Sequence, residues 1–338
     1  MQNLLDPAIL FFLFGALAGA VKSNLEIPAP ISRFLALYLL MALGLKGGFA
    51  LAHSGLTAQV ASSLGCAVLL AVLVPLLGYR LLRRVLFDFD AVAVAATYGS
   101  VSAVTFVTAV QTLENQQMAF GGYMAAAMAL MESPAIILAV VAANALRQRQ
   151  SVALTVGNGG GAALVAMAPV PRNPGAAIGK ILHESFTDGA QLLLLGAMLI
   201  GILSGDSGKA AMQPFSGDIF KGMLAFFLLD MGLLTARSLP QVRGKSPWLV
   251  AYAVVGPLAH ASLALGLCTL FDIPAGDAIL LMVLAASASY IAVPAVLRHA
   301  IPEASPSLYF GLSLGITFPL NILFGIPLYT HVARAVLG

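Results

Sequence analysis

Ten long apolar stretches, joined mostly by short polar ones, follow one another along the chain. A helix needs about 20 apolar residues to cross a hydrocarbon core roughly 30 Å thick, and each stretch has about that length. The pattern therefore predicts ten membrane-spanning helices. The predicted spans are 7–21, 29–45, 59–79, 91–113, 121–146, 184–204, 217–236, 248–271, 275–297 and 308–336.

The composition indicates the same class of protein. Apolar residues make up 60% of the chain, charged residues only 9%, and the mean hydropathy is +0.95. Soluble domains carry about 25% charged residues, so a soluble globular protein is excluded. We expect an all-α polytopic protein of the inner (plasma) membrane, with the lipid bilayer around it and with no nucleic acid as a partner.

One long connection, 147–180, separates a first half, 1–146, from a second half, 181–338, and each half holds five predicted spans. The connection contains the glycine-rich run 157–161 and three prolines, a composition typical of a flexible linker. It is not a phosphate-binding loop, because no strand precedes the glycines and no Lys-Ser/Thr pair follows them.

The two halves share short sequence features at a nearly constant offset. The offset is 188 residues from Gly44 to Gly232, and 187 residues both from Asp90 to Asp277 and from Ser102 to Ser289. A unit of five spans leaves the membrane on the side opposite to its start, so a second copy must be inserted upside down. The sequence thus predicts an inverted 5+5 repeat.

The basic residues predict the orientation. Thirteen of the 17 Lys and Arg residues fall in or next to connections that follow odd-numbered spans. Cytoplasmic loops carry the excess of Lys and Arg in membrane proteins. We therefore expect the 147–180 linker in the cytoplasm and both termini on the extracytoplasmic side.

Two of the predicted spans, the fourth and the ninth, contain runs of small and hydroxyl residues, at 98–105 and 287–294. A helix broken there would expose backbone groups, which survive in hydrocarbon only where they line a cavity. The N-terminal end of a half-helix favours an anion. The alternative is that the small residues only allow close helix packing. The predicted anion-binding residues are Gly99, Ser100, Ser102, Ala103, Thr105, Ser287, Ser289, Tyr290 and Ala292.

Two acids inside predicted spans are candidates for a cation site, because ionisable residues are rare within membranes. Glu132 is followed by Ser133 and Pro134, and the proline frees a helix carbonyl, so hard oxygen ligands cluster there. Asp230 has no neighbouring base in the sequence. It could titrate, bind a cation or pair with Lys46, and either acid could simply be a buried group satisfied by a hydrogen bond.

Sequence signatures of enzymes are missing. The five histidines are scattered, and there is no G-x-S-x-G, H-E-x-x-H or Walker sequence. We therefore expect a protein that is not an enzyme and has no resident cofactor, with Na⁺ considered only as a coupling ion.

The chain resembles the sodium-dependent bicarbonate transporters of the SbtA type over nearly its whole length. The resemblance is carried by the order and spacing of several segments more than by any one of them. These segments are 43–48 (LGLKGG), 99–105 (GSVSAVT) with 112–114 (TLE), 131–135 (MESPA), 141–144 (VAAN), 231–232 (MG) and 285–302.

The resemblance implies ten helices in two inverted repeats, with broken fourth and ninth helices that hold bicarbonate. It also implies a core domain of helices 3–5 and 8–10, moving against a gate domain of helices 1, 2, 6 and 7. A homotrimer is implied as well, and a small cytoplasmic PII-like protein regulates some members.

The second break departs from the pattern of the family it resembles. Tyr290 stands where an acid is usual and Ala292 where a serine is usual, and the first break has Ala103 and Val104 in place of Gly and Ser. The leading hypothesis is a secondary active transporter that takes up bicarbonate with sodium by alternating access. A proton-coupled or uncoupled carrier or channel for another small carboxylate or anion, and a transport-inactive anion sensor, stay open as alternatives.

Overall fold

The computed structural model describes residues 5–55, 57–157, 189–242 and 244–338. The regular structure of these residues is entirely helical. The long helices, numbered in chain order, are α1 (Pro7–Ala20), α2 (Ala29–Ser54), α3 (Ala58–Leu82), α4 (Asp88–Gly99), α5 (Ala103–Asn115), α6 (Met124–Gly157), α7 (Gly189–Gln213), α8 (Phe220–Ser238), α9 (Pro247–Leu270), α10 (Ala275–Ala286), α11 (Ala292–Ala300) and α12 (Pro306–Leu337).

The described helices are those of a polytopic membrane protein. By length and composition, seven helical stretches among them can cross a membrane, and the shorter apolar helices α1 and α10 accompany them. Large apolar side chains lie on the outside, including Leu17 at 60% exposure and Leu203 at 78%. A soluble protein would not leave so much apolar surface in water. The predicted all-α membrane class is confirmed.

Two short helices lie in the middle of the molecule. Every residue of 91–99 in α4 and of 276–286 in α10 is buried. A helix that is buried all round needs no polar face, which explains why both sequences are apolar on every side. The ends of α4 and α10 are therefore shielded from lipid by other helices.

The prediction that the second span ends at Leu45 is wrong, because α2 continues without interruption to Ser54. The glycines at and after the predicted end of this span are places of close contact with α7. A Cβ atom on Gly44 would lie 2.4 Å from the carbonyl oxygen of Leu194, and one on Gly48 would lie 2.1 Å from that of Met198. Only glycine lets the two backbones come so close.

The helices α1 and α8 pack through glycine in the same way. A Cβ atom on Gly15 would lie 2.1 Å from the carbonyl oxygen of Leu229, and one on Gly19 would lie 3.0 Å from that of Leu233. Residue numbers rise together along both members of this pair, as they do for α2 and α7. The helices of each pair are therefore parallel, although their members come from different halves of the sequence.

Two further helix ends differ from the prediction, because α6 and α7 both extend beyond the predicted spans. Helix α6 runs through Pro134 and reaches Gly157, so the predicted 147–180 linker starts inside this helix, and residues 158–180 lie outside the described ones. Helix α7 is kinked at Gly205, whose φ of +52° is a conformation that glycine adopts easily. The predicted start of the sixth span, Glu184, also lies outside the described residues.

Helix α12 contains two turns of π-helix, Ser313–Thr317 and Asn321–Gly325. Each extra residue in a π-turn rotates the side chains that follow it, and such turns are frequent at functional sites. In α12 they bring Thr317 and Asn321 into contact with α4, α9 and α10.

Candidate functional site

The first interruption separates α4 from α5. Helix α4 ends at Gly99, Ser100 is extended with φ −97° and ψ −175°, and α5 begins at Ala103. A Cβ atom on Gly99 would lie 2.6 Å from three atoms of the Pro75 ring in α3. Gly99 therefore allows the end of α4 to touch α3 where the chain leaves the helix.

Ser102 starts the second half of this broken helix. Its Oγ lies 3.3 Å from the backbone N of Thr105, from which it accepts a hydrogen bond, and 3.0 Å from Thr105 Oγ1. This is the arrangement of an N-cap serine, which satisfies one of the free N–H groups at a helix start. Ala103, the first residue of α5, is half-buried.

The second interruption separates α10 from α11. Helix α10 ends at Ala286 and α11 begins at Ala292, which is half-buried. Ser289 Oγ accepts a hydrogen bond from the backbone N of Val293 at 3.3 Å, so it satisfies one N–H group in the first turn of α11, although Ile291 holds the N-cap position. Ser287 Oγ donates to the carbonyl oxygen of Leu284 at 2.8 Å and thereby binds the last turn of α10.

The two interruptions are in direct contact. The backbone N of Ser102 donates to Ser287 Oγ at 2.9 Å. The backbone N of Ser289 donates to the carbonyl oxygen of Thr97 at 2.8 Å. Each break therefore supplies a hydrogen-bond partner to the other.

The hydroxyl group of Ser100 is buried and unpaired within the part of the chain that the structure describes. Ser100 is 1% exposed, and its Oγ has no hydrogen-bond partner among the described residues. A buried hydroxyl without a partner is uncommon, because its desolvation is not compensated. The arrangement can therefore offer a hydroxyl, beside the start of α5, to a small polar solute.

Tyr290 connects the second break with α8. Its side chain is 7% exposed, and its ring packs edge-on against Phe318 with centroids 5.3 Å apart. Its hydroxyl points to Met231 Sδ at 3.6 Å. The residue that stands in place of the acid thus fills space between α8, α12 and the break.

Helix α12 supports both breaks, a role that the sequence did not predict. Thr317 Oγ1 lies 2.6 Å from the hydroxyl of Tyr98, next to Gly99, and donates to the carbonyl oxygen of Ala253 at 2.8 Å. Asn321 Nδ2 donates to the carbonyl oxygen of Ala286, the last residue of α10, at 2.8 Å. An asparagine inside an apolar span is the signal that could have shown its role.

The candidate cation ligands lie on α6 and α8. Glu132 Oε2 accepts a hydrogen bond from Nε2 of Gln191 in α7, and Ser133 beside it is buried. Asp230 is 5% exposed and accepts a hydrogen bond from Ser32 Oγ, in the first turn of α2. Asp230 directly precedes Met231, the residue that touches Tyr290. A role of these residues in cation binding stays a prediction.

The hypothesis that Asp230 pairs with Lys46 is wrong. Lys46 Nζ lies 2.9 and 3.0 Å from the two carboxylate oxygens of Glu114, at the end of α5, and 4.2 Å from the ring centre of Phe220. Glu114 is 68 residues from Lys46, and nothing in the sequence marked it as the partner.

A cavity of about 450 Å³ lies next to this ion pair, between α2, α5, α7, α8 and the chain before α6. Phe106, four residues after Ser102, lines it. The cavity therefore extends from the surface along α5 in the direction of the first break.

Comparison with known proteins places the chain in a family. No curated protein matches it. A family model described as the Na⁺-dependent bicarbonate transporter superfamily matches residues 7–334, which is nearly the whole chain. The resemblance found in the sequence is thus confirmed, and the molecule is a membrane transporter and not an enzyme. The chain belongs to the Na⁺-dependent bicarbonate transporter superfamily.

Proposed function

We propose that the protein is a secondary active transporter that takes up a small anion, bicarbonate, together with sodium by alternating access. The observation that carries the proposal is the pair of hydrogen bonds between the breaks, from Ser102 to Ser287 and from Ser289 to Thr97. Broken helices within a membrane protein are tolerated where they are buried in protein or line a cavity, and transporters form their substrate sites from them. The contact leaves Ser100 Oγ without a partner in the same place.

The chemistry at the breaks suits an anion. The start of a helix carries free N–H groups and partial positive charge. Both α5 and α11 start in the contact region, and serine hydroxyls surround it. In the proposed site, Ser100 and Ser102 contact bicarbonate from the first break, and Ser287 and Ser289 hold the second break against it. Gly99, Ala103, Thr105, Tyr290 and Ala292 complete the wall of the site.

The packing supports an inverted repeat of two five-span units, 1–146 and 181–338. The pairs α1–α8 and α2–α7 are both parallel, so α1 and α7, the first described helices of the two units, run in opposite directions. Asp90 Oδ1 accepts from the backbone N of Ser305 at 2.7 Å, and Asp277 Oδ1 accepts from that of Gly121 at 2.6 Å. Each acid thus holds the loop before the fifth span of the other unit.

The same packing supports a division into gate and core. The proposed gate contains the pairs α1–α8 and α2–α7, and the proposed core contains α3 to α6 and α9 to α12. The 147–180 linker is proposed to lie in the cytoplasm and both termini outside the plasma membrane. A homotrimer and a PII-like cytoplasmic regulator are further proposals, which rest on the family alone. Mass spectrometry of the protein in detergent would test the trimer.

Uptake of labelled bicarbonate into proteoliposomes tests the function. We expect uptake that an inward sodium gradient accelerates and that stops when the gradient is removed. Preloaded unlabelled bicarbonate should accelerate the entry of label, because a carrier exchanges its substrate whereas a channel does not. Failure of bicarbonate and of small carboxylates to enter under either a sodium or a proton gradient would contradict the proposal.

The coupling ion is proposed to bind at Glu132 and Ser133, with Asp230 as the alternative site for sodium or a proton. We expect Glu132→Gln to abolish the sodium dependence of uptake while the melting temperature stays near that of the wild type, because the amide can still bond to Gln191. Asp230→Asn is the matched variant, which tests the alternative site in the same uptake assay. Unchanged sodium dependence in Glu132→Gln would remove Glu132 from the cation site.

A transport-inactive anion sensor is the second candidate, and the packing of Tyr290 favours it. This side chain fills space at the second break and contacts α8, so it opposes movement of the proposed gate against the core. Bicarbonate binding without flux would support a sensor. In that case Tyr290→Asp, which empties the space, is expected to restore flux.

A further inference from the structure

The cavity beside Lys46 has a lining that the proposed function does not explain. Lysines 46, 209 and 221 line it together with two carboxylates, those of Glu114 and Asp218. The lining thus has one positive charge in excess. In the proposed orientation the cavity opens on the outer face, where α2 and α5 end.

A network of hydrogen bonds fixes the side chain of Asn115 at the edge of this cavity. Asn115 Oδ1 accepts from Lys221 Nζ at 2.7 Å, and Asn115 Nδ2 donates to Asp6 Oδ2 at 2.9 Å. An ammonium group can only donate and a carboxylate can only accept. The orientation of the Asn115 amide is therefore determined by its two charged partners.

The fixed amide of Asn115 in turn determines the orientation of Gln111, which lines the cavity. Gln111 Nε2 donates to Asn115 Oδ1 at 3.0 Å. Turning the Gln111 amide over would place its oxygen against the oxygen of Asn115. The carbonyl oxygen of Gln111 must therefore point away from Asn115, and it can only accept.

That oxygen has no partner. Gln111 is 4% exposed, and its Oε1 accepts no hydrogen bond from any residue that the structure describes. A buried acceptor left unpaired is costly, so a donor from outside the chain stabilises it. Glu114, one turn further along α5, holds Lys46 on the same face of the helix.

We propose that this cavity is a second anion site, which selects a small oxyanion that carries a hydroxyl group. The lysines hold the negative charge, and Gln111 Oε1 accepts the hydrogen bond from the hydroxyl. Bicarbonate has this combination, whereas nitrate has the same charge and flat shape but no hydrogen to donate. The choice of bicarbonate rests on the proposed function, but the site itself does not.

The site is separate from the breaks, but its lining extends towards the first of them. Gln111 lies nine residues after Ser102 on α5, a distance of about 13 Å along a helix axis. Phe106 lines the cavity between them. An anion bound in the cavity is therefore placed on the way to the first break.

The test compares bicarbonate with nitrate in raising the melting temperature of the purified full-length protein in detergent. A ligand that binds only the folded state stabilises it by RT ln(1 + [L]/Kd), so weak affinities can be measured from the melting temperature without transport. The Ser100→Ala background reduces binding at the breaks. In it, Gln111→Met is expected to weaken bicarbonate binding about ten-fold, as the loss of one hydrogen bond does, and to leave nitrate binding unchanged.

The matched control is Gln213→Met. Gln213 lines the same cavity, but its amide bonds to Asp218 at 3.2 Å and is exposed, so this change should leave bicarbonate binding as it is. Gln111→Glu is a second variant of nearly identical size, and its added negative charge should weaken both anions. If Gln111→Met binds bicarbonate like its parent, or Gln111→Glu binds both anions unchanged, water satisfies Gln111 and the cavity is not an anion site.

Discussion

The two helix breaks have corresponding serines in different states. Ser100 and Ser287 lie 187 residues apart, the same offset that relates Ser102 to Ser289. Ser287 Oγ both accepts from the backbone of Ser102 and donates to Leu284, whereas Ser100 Oγ has no partner among the described residues. Ser289, for its part, donates its N–H to the carbonyl of Thr97 and not to Ser100.

The difference separates a structural serine from one that is available to a ligand. If the two breaks were related by exact pseudosymmetry, the hydroxyls of Ser100 and Ser287 would both take part in the contact between them. Here the second break supplies the contact and the packing, through Ser287 and Tyr290, and the first break supplies the spare hydroxyl. Substitutions at corresponding positions should therefore affect stability at one break and anion binding at the other.

The largest effect is expected from Asn321→Ala, which removes support from the second break alone. Two buried groups lose their partner, the carbonyl of Ala286 and the hydroxyl of Tyr329, which donates to Asn321 Oδ1 at 2.9 Å. Each unpaired buried group costs about 1–3 kcal/mol. Unfolding of the purified protein in detergent would measure the loss. Full stability in this variant would show that α12 does not hold the end of α10.

Gly99→Ala should destabilise the protein at the first break. The corresponding residue of the second break, Ala286, is already an alanine. The added Cβ would lie 2.6 Å from the Pro75 ring, and overpacking of this kind costs about 1–3 kcal/mol. Gly196→Ala, at a helix position with open space around it, is the control and should leave the melting temperature unchanged or raise it. Equal effects of both changes would contradict the close contact with Pro75.

Ser287→Ala and Ser100→Ala together compare the two serines directly. The first leaves the N–H of Ser102 unpaired in the interior, at a cost of about 1–3 kcal/mol, and the second removes only a hydroxyl without a partner. We expect a lower melting temperature for Ser287→Ala and an unchanged melting temperature for Ser100→Ala. Similar losses of stability in the two variants would contradict the difference between Ser287 and Ser100.

The smallest effect in free energy is the one expected on anion binding. Ser100→Ala should weaken bicarbonate binding about ten-fold, or about 1.4 kcal/mol, because one hydrogen bond to a charged ligand is lost. The titration would follow the melting temperature against bicarbonate concentration in the Gln111→Met background, in which the cavity contributes least. Wild-type affinity in this variant would place the anion away from Ser100.

The sequence was informative where a local pattern determines the structure. Small and hydroxyl residues inside two apolar spans located both breaks to within a few residues, since the exposed backbone ends of a broken helix require them. The N-cap role of Ser102 follows from its position before α5. The end of the second span was predicted too early, at Leu45, because a glycine that ends a helix and one that touches another helix look alike in a single sequence.

Contacts between distant residues could not be predicted. Lys46 pairs with Glu114 and Asp230 with Ser32, over separations of 68 and 198 residues, and no local pattern connects the members of either pair. The same holds for Asn321, whose polar side chain was visible in an apolar span but whose partner, the last carbonyl of α10, depends on two π-turns. These partners are set by tertiary packing.

The glycine contacts between α1 and α8 and between α2 and α7 also determine how the protein can be made. During synthesis, α1 is inserted about 200 residues before α8, the helix that packs on its glycine face. Until α8 is made, this face of α1 is therefore in contact with lipid. Neither half can complete its own packing. We expect that two separately expressed halves assemble only when they are produced in the same cell, and that each one alone is degraded.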